Sequence, residues 1–217
     1  MDRDRAGTGY LALPEAGHGP GELVLHTWWG LTSAYTEICD RLAEDGFVAL
    51  APDLFAGEVL DDVVAAQTRL AEASADEIAH LTRSSLQTLR TLDRTPDGPV
   101  GVMGYSLGAS MALWLAARVP AAVAATIAFY GSQDIDFSEA TCAFQAHFAD
   151  DDPFVSQDQR VLLEADLRLL DKQVEAFDYP GTTHWFAEPD RPEFDPAASE
   201  LAWERAVSFL RDRLAPT

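Results

Sequence analysis

Gly104-Tyr105-Ser106-Leu107-Gly108 is the stretch of this chain best suited to chemistry. It follows Pro99 to Met103, a short apolar run that reads as a buried strand, and precedes Ala109 to Arg118, which is rich in helix formers. A strand that enters a helix through G-x-S-x-G lifts a serine hydroxyl above a parallel sheet in a tight turn. Glycine suits both ends of the motif, because backbone packs against backbone there and a Cβ would clash. The plainer reading is a strand–turn–helix whose Ser106 only caps the helix.

A serine hydroxyl is a weak nucleophile at neutral pH and needs an adjacent base. Enzymes that use such a turn carry their partners in the chain order Ser, acid, His. The histidines are His18, His26, His80, His147 and His184. Only His184 lies beyond every acid that ends a strand after the turn, in a loop predicted at the carboxyl end of a strand. For the acid, Asp150, Asp151 and Asp152 follow one core strand, and Asp134 and Asp136 follow the strand before it. Position alone does not choose among the three neighbours. An oxyanion would need two backbone N–H groups. Leu107, at the helix start, supplies one, and the loop Thr27-Trp28-Trp29-Gly30 is expected to supply the other. Trp28 and Trp29 read as a pocket wall there, with core packing as the alternative.

The elements that must position these residues alternate. Gly9 to Pro14 reads as a short edge strand, and Glu22 to His26 as a second strand. Ser33 to Glu44 has helical periodicity, Gly46 stops it, and Phe47 to Leu50 begins another strand. Strand, helix, strand at these lengths implies a parallel pair. A long helical region follows Pro52 to Phe55, and Ser74-Ala75-Asp76-Glu77 has the form of a capping box that splits it in two. After the serine turn, strands are predicted over Ala122 to Tyr130, Thr141 to Phe148 and Gln173 to Tyr179, with a helix from Gln157 to Leu170 between the last two. Pro180 to His184 is expected to leave as a loop. Asp195-Pro196 opens the last helix with a cap and a proline in favoured places. The strands are continuously apolar, as when helices cover both faces. The fold class expected is a three-layer α/β domain spanning residues 1–217, with a mostly parallel twisted sheet and its chemistry at the carboxyl ends of the strands.

Composition narrows the partners. The chain has 217 residues, 47% hydrophobic and 24% charged, and a formal charge of -21. That charge repels nucleic acid and anionic lipid, so neither is expected to bind. Met1 to Gly9 has no signal-peptide core and no segment reads as membrane-spanning, which makes a cytoplasmic protein the expectation. Cys39 and Cys142 read as buried reduced thiols, a disulfide being the minor alternative. No Cys/His group has zinc spacing, and neither metal nor cofactor is expected.

Together these stretches resemble the dienelactone hydrolase family of α/β-hydrolases. The matching pieces are His26 to Gly30, Ala51 to Phe55, Gly104 to Gly108, Phe129 to Gly131, Asp152 to Val155 and Tyr179 to His184, in family order. The resemblance implies Asp152 as the acid, since the family's aspartate precedes an aromatic and Val in the same way. It also implies the N–H groups of Trp28 and Leu107 as oxyanion donors. Three positions depart from the pattern. The eponymous enzymes carry Cys at Ser106, Glu at Thr27, and at Glu188 an Arg that grips a substrate carboxylate. A serine with His184 as base needs no helping carboxylate, so the first two changes make joint sense. Glu188 is expected to face the pocket and repel anions. The activity expected is cofactor-free hydrolysis of a small ester or lactone through an acyl-enzyme. Thr27, Trp29, Phe55, Tyr105, Tyr130, Phe154, Trp185 and Glu188 are candidate substrate-binding residues. Acyl transfer or thioester cleavage by the same triad is the first alternative, and a non-catalytic binding protein for small molecules the second.

Overall fold

The computed structural model describes residues 9–214. The reading of the N-terminal segment as lacking a signal-peptide core falls almost wholly outside them. Along the chain come β1 (Gly9–Ala12), β2 (Gly21–Leu25), α1 (Ser33–Glu44), β3 (Val48–Pro52), α2 (Val63–Glu72) and α3 (Ala75–Arg90). These are followed by β4 (Val100–Tyr105), α4 (Leu107–Arg118), β5 (Val123–Phe129), β6 (Ala143–Asp151), α5 (Gln157–Leu169), β7 (Val174–Thr183) and α6 (Pro196–Leu214). The seven strands form one sheet in the order β1-β3-β2-β4-β5-β6-β7. All neighbours are parallel except the edge pair β1–β3.

Continuous burial follows from two covered faces. Every residue of β4 is buried. On one face α1 and α6 pack Tyr35, Leu42, Trp203 and Leu210 against the sheet. On the other, α3, α4 and α5 contribute Leu86, Leu113 and Leu163. The split between α2 and α3 falls where Ser74 accepts the N–H of Glu77. Asp195 accepts the N–H groups of Ala197 and Ala198 and so starts α6. Among the described residues no helix is long and apolar enough to cross a membrane.

Two local expectations are corrected. Residues 180–183 are not a loop, because β7 continues through Thr183, which pairs with Asp151 after a register shift. The Gly181 N–H donates to Asp150 at 3.1 Å, which helps hold this extension to β6. Cys142 lies just before β6 rather than within a strand. Both thiols are free and buried.

Candidate functional site

β4 runs into α4 with a single residue between them, Ser106, at φ 51 and ψ -109. Its N–H donates to the carbonyl of Phe129 at 2.9 Å, which ties the turn to β5. A positive φ at a non-glycine residue costs on the order of 1–3 kcal/mol and persists only where surrounding structure holds it. Here the hold is steric. A Cβ on Gly104 would run into the carbonyl of Gly108, and one on Gly108 into the carbonyl of Leu25. The turn therefore closes backbone on backbone. Ser106 makes no side-chain cap to α4, so the plain capping reading is set aside.

The freed hydroxyl has a partner from the far end of the sheet. Ser106 Oγ lies 2.8 Å from His184 Nε2. His184 Nδ1 lies 2.9 and 2.8 Å from the two carboxylate oxygens of Asp152. A carboxylate only accepts, so Nδ1 carries the imidazole proton and Nε2 is left to accept from the serine. The side chains of His184 and Asp152 are almost wholly buried. Asp152 is itself aimed by its backbone, because Oδ1 accepts the N–H groups of Phe154 at 2.8 Å and Val155 at 3.0 Å. Of the other acids weighed, Asp150 accepts Gly181 N–H and Asp136 accepts Ser138 N–H. Neither faces His184 in these contacts.

The loop after β2 is fastened at several points. The Thr27 N–H donates to the Tyr35 hydroxyl at 3.1 Å, Trp29 N–H to Thr27 Oγ1 at 3.4 Å, and Gly30 N–H to Thr27 O at 3.3 Å. His26 anchors the loop from below. Its Nε2 accepts the Leu54 N–H at 3.0 Å, so Nδ1 must carry the proton that it donates to Thr27 O at 2.6 Å. Burial pushes the His26 imidazole down to about 4, which keeps this neutral tautomer in place. Leu107, opposite, is the first residue of α4, where backbone N–H groups lack intrahelical partners.

A model of the Dienelactone hydrolase family matches residues 8–214. The chain belongs to that family. Its membership makes it a hydrolase of carboxylic ester and lactone bonds. A protein of Aquifex aeolicus provisionally named carboxymethylenebutenolidase is 34% identical over 218 residues, covering 95% of this chain and 93% of the relative. Protein usf of Aquifex pyrophilus is 32% identical over 216 residues, with 95% and 93% covered. The fold agrees with that of a dienelactone hydrolase-like promiscuous phosphotriesterase from metagenomic libraries, at a TM-score of 0.86 and 20% identity, covering 96% of this chain and 93% of that one.

Against the dienelactone hydrolase pattern, the structure corrects the reading of Glu188. It is fully buried rather than lining an open pocket. Its carboxylate accepts from Thr27 Oγ1 at 3.2 Å, Tyr35 OH at 2.9 Å and Tyr130 OH at 2.8 Å. Burial pushes this carboxyl up to about 8, with the three hydroxyls pulling the other way. The departures at Thr27 and Glu188 are therefore one contact. A carboxylate still reaches the Thr27 position, but from the turn after His184.

Most of the expected pocket aromatics are core. Phe55, Trp29, Tyr105 and Tyr130 are buried, as is Thr27. Tyr105 stacks on Phe129 with ring centroids 4.5 Å apart, while Phe55 packs its edge on His26 and lies under Arg69. Their hydrophobic area is satisfied by neighbours, so they do not present a surface to substrate. Around His184 the rings of Tyr130, Phe154 and Trp185 lie within 4.8–4.9 Å. Phe154 is 39% exposed, and with half-buried Trp28 and largely buried Trp185 it rims the serine. Tyr130 and Trp185 share the positive φ of Ser106, at 37 and 71. Sequence did not mark Tyr35, and it placed His26 in the matching stretch His26 to Gly30 without a role of its own. A tyrosine inside an amphipathic helix carries no local sign that its hydroxyl will cross to a strand end.

Proposed function

We propose that the protein is a serine hydrolase that cleaves a small, uncharged ester or lactone through an acyl-enzyme. What carries this reading is the relay from Ser106 Oγ to His184 Nε2 at 2.8 Å and from His184 Nδ1 to Asp152 at 2.8 Å. Ser106 is the nucleophile at the elbow, His184 the base and Asp152 the acid that orients it. Preference for an uncharged substrate rests on the aromatic rim and on the formal charge of -21, with Glu188 no longer an argument. The protein is taken as a single catalytic unit working in the cytoplasm.

In the first half, His184 Nε2 takes the proton as Ser106 Oγ attacks the carbonyl carbon. Negative charge on the carbonyl oxygen is held by the N–H groups of Trp28 and Leu107, the latter aided by the positive end of α4. His184 then gives its proton to the leaving oxygen, and the C–O bond of the ester breaks. In the second half His184 deprotonates a water that attacks the acyl carbon, the bond from that carbon to Oγ breaks, and the imidazolium returns its proton to Ser106 Oγ as the acid product leaves. Asp152 stays ionised throughout and stabilises the imidazolium.

Intact-mass analysis after a fluorophosphonate probe tests the reading. One adduct is expected on the wild type, none on Ser106→Ala and at most slow labelling of His184→Ala. An unlabelled wild type, or an adduct that survives Ser106→Ala, would falsify it. Product analysis with added alcohol separates hydrolysis from acyl transfer.

A further inference from the structure

The mechanism leaves the most deeply buried carboxylate near the site without a task. Glu188 sits at the end of the turn that carries His184, its own N–H donating to Trp185 O at 2.9 Å. Its Oε2 accepts from Tyr35 OH and Thr27 Oγ1, and its Oε1 from Tyr130 OH. Two of these hydroxyls also accept a backbone N–H, Tyr35 from Thr27 and Thr27 from Trp29. A hydroxyl has one proton, and one that has accepted an N–H is turned to donate elsewhere. Both donate to Glu188. Two donors thus end on Oε2, which accepts whatever the charge of the carboxyl, while the Tyr130 hydroxyl on Oε1 can give a proton to the carboxylate or take one from the carboxyl, whose pKa burial raises to about 8.

The consequence falls on Trp28. The amides on either side of it, those of Thr27 and Trp29, are held by hydroxyls that end on one carboxylate. That carboxylate belongs to the same turn as the base. We propose that Glu188 is the positioning residue of the oxyanion site, fixing the direction of Trp28 N–H relative to Ser106 and His184. The inference rests on the serine-hydrolase reading above. Oxyanion donors act only where charge develops, so a misaimed N–H lowers turnover while leaving ground-state binding nearly unchanged.

The experiment compares wild type with Glu188→Leu, which fills the space but removes the Oε2 acceptor on which the Tyr35 and Thr27 hydroxyls end. A short 4-nitrophenyl ester reports kcat and KM, and an aryl boronic acid reports affinity for a tetrahedral anionic adduct. We expect kcat to fall roughly tenfold to a hundredfold, part of what loss of a whole oxyanion donor costs. KM should stay within about threefold, and boronate affinity should fall in step with kcat. Thr27→Ser, which keeps the hydroxyl, should lose less than Thr27→Val. If Glu188→Leu does not fold, Tyr35→Phe carries the same test, since it removes one N–H acceptor and one donor to Glu188. Wild-type kcat and boronate affinity in these variants overturn the inference, as does a lower melting temperature with neither changed. A loss of kcat without a loss of boronate affinity also overturns it. A wild type that neither labels nor binds boronate is a separate result, in which the hydrolase reading falls and this inference falls with it.

Discussion

His184 Nδ1 stands between the two oxygens of Asp152, 2.9 Å from Oδ1 and 2.8 Å from Oδ2. Oδ1 is also held by the N–H groups of Phe154 and Val155, so the carboxylate is fixed before the imidazole arrives. Asp152→Asn should therefore fold but present the wrong hydrogen-bonding partner to Nδ1. Its kcat should drop by about 10³–10⁴. Asp151→Asn should stay near wild type, and Asp150→Asn should lose only a little, through its bond to Gly181. Steady-state kinetics on the three variants decides the matter, and equal losses in all three would refute the assignment.

Phe154 is the most exposed ring at the site, with centroids 4.8 Å from His184, 5.3 Å from Trp28 and 5.2 Å from Trp185. A ring at the rim contributes apolar contact to substrate rather than transition-state charge. Phe154→Ala should raise KM for an aryl ester by about fivefold, the worth of ~1 kcal/mol of apolar contact. Its kcat should change by less. A kcat loss that exceeds the KM change would place Phe154 in control of His184 instead.

Gly108 has no room for a side chain, because a Cβ there would meet the carbonyl of Leu25 in the neighbouring strand. Gly108→Ala must push α4 off β2 and with it the residue before Gly108, Leu107. We expect at least about 1–3 kcal/mol of lost stability by denaturant unfolding, together with lost fluorophosphonate labelling. Unchanged stability would show that the turn yields more readily than its contacts suggest.

Buried titratable groups outside the relay set the pH dependence of stability. His26 is pushed down to about 4 and His147 to about 3, both by burial. A group with a depressed folded pKa stabilises above its unfolded value, about 6.5 for His, and loses that contribution as pH falls through its folded value. Stability should therefore decline from about pH 6.5 downward. Glu22 acts in the opposite sense. Neither of its oxygens has a hydrogen-bond partner among the described residues, and burial raises its carboxyl well above 4.5. Gly101 lies against its carboxyl with no room for a Cβ between them, and Cys39 and Tyr105 are titratable groups near enough to feel its charge. Its contribution is full below about 4.5 and is lost as pH rises. Glu22→Gln should match wild type near pH 4 and exceed it by a margin that grows toward pH 8. Glu188, raised to about 8, leaves a residual slope of the same sign in both proteins. Urea unfolding at a series of pH values measures the margin, and a constant one would exclude the ionisation of Glu22 as its cause.

Sequence by itself determined the serine turn, the histidine that meets it and the sheet architecture. Those features are local or ordinal. Gly104 and Gly108 flank a serine between a strand run and a helix run, and His184 is the histidine that follows every candidate acid. Apolar runs alternating with helical periodicity required a covered parallel sheet. Sequence did not by itself choose among Asp150, Asp151 and Asp152, because neighbours in a chain differ in direction rather than position. The resemblance pointed to Asp152, and in the structure it is the one whose carboxylate faces His184 Nδ1.

Tertiary structure alone decided where Glu188 and Thr27 point. They are 161 positions apart, and a carboxylate four residues past His184 reads from sequence as a charge facing substrate. In the fold it turns inward onto Thr27, Tyr35 and Tyr130. Tyr105, Phe55 and Trp29 likewise went from pocket to core, because an aromatic near a strand end has no sequence mark for the side it faces. Chain order and steric need are written in one dimension. Which buried charge meets which hydroxyl depends on how separate loops converge above the sheet.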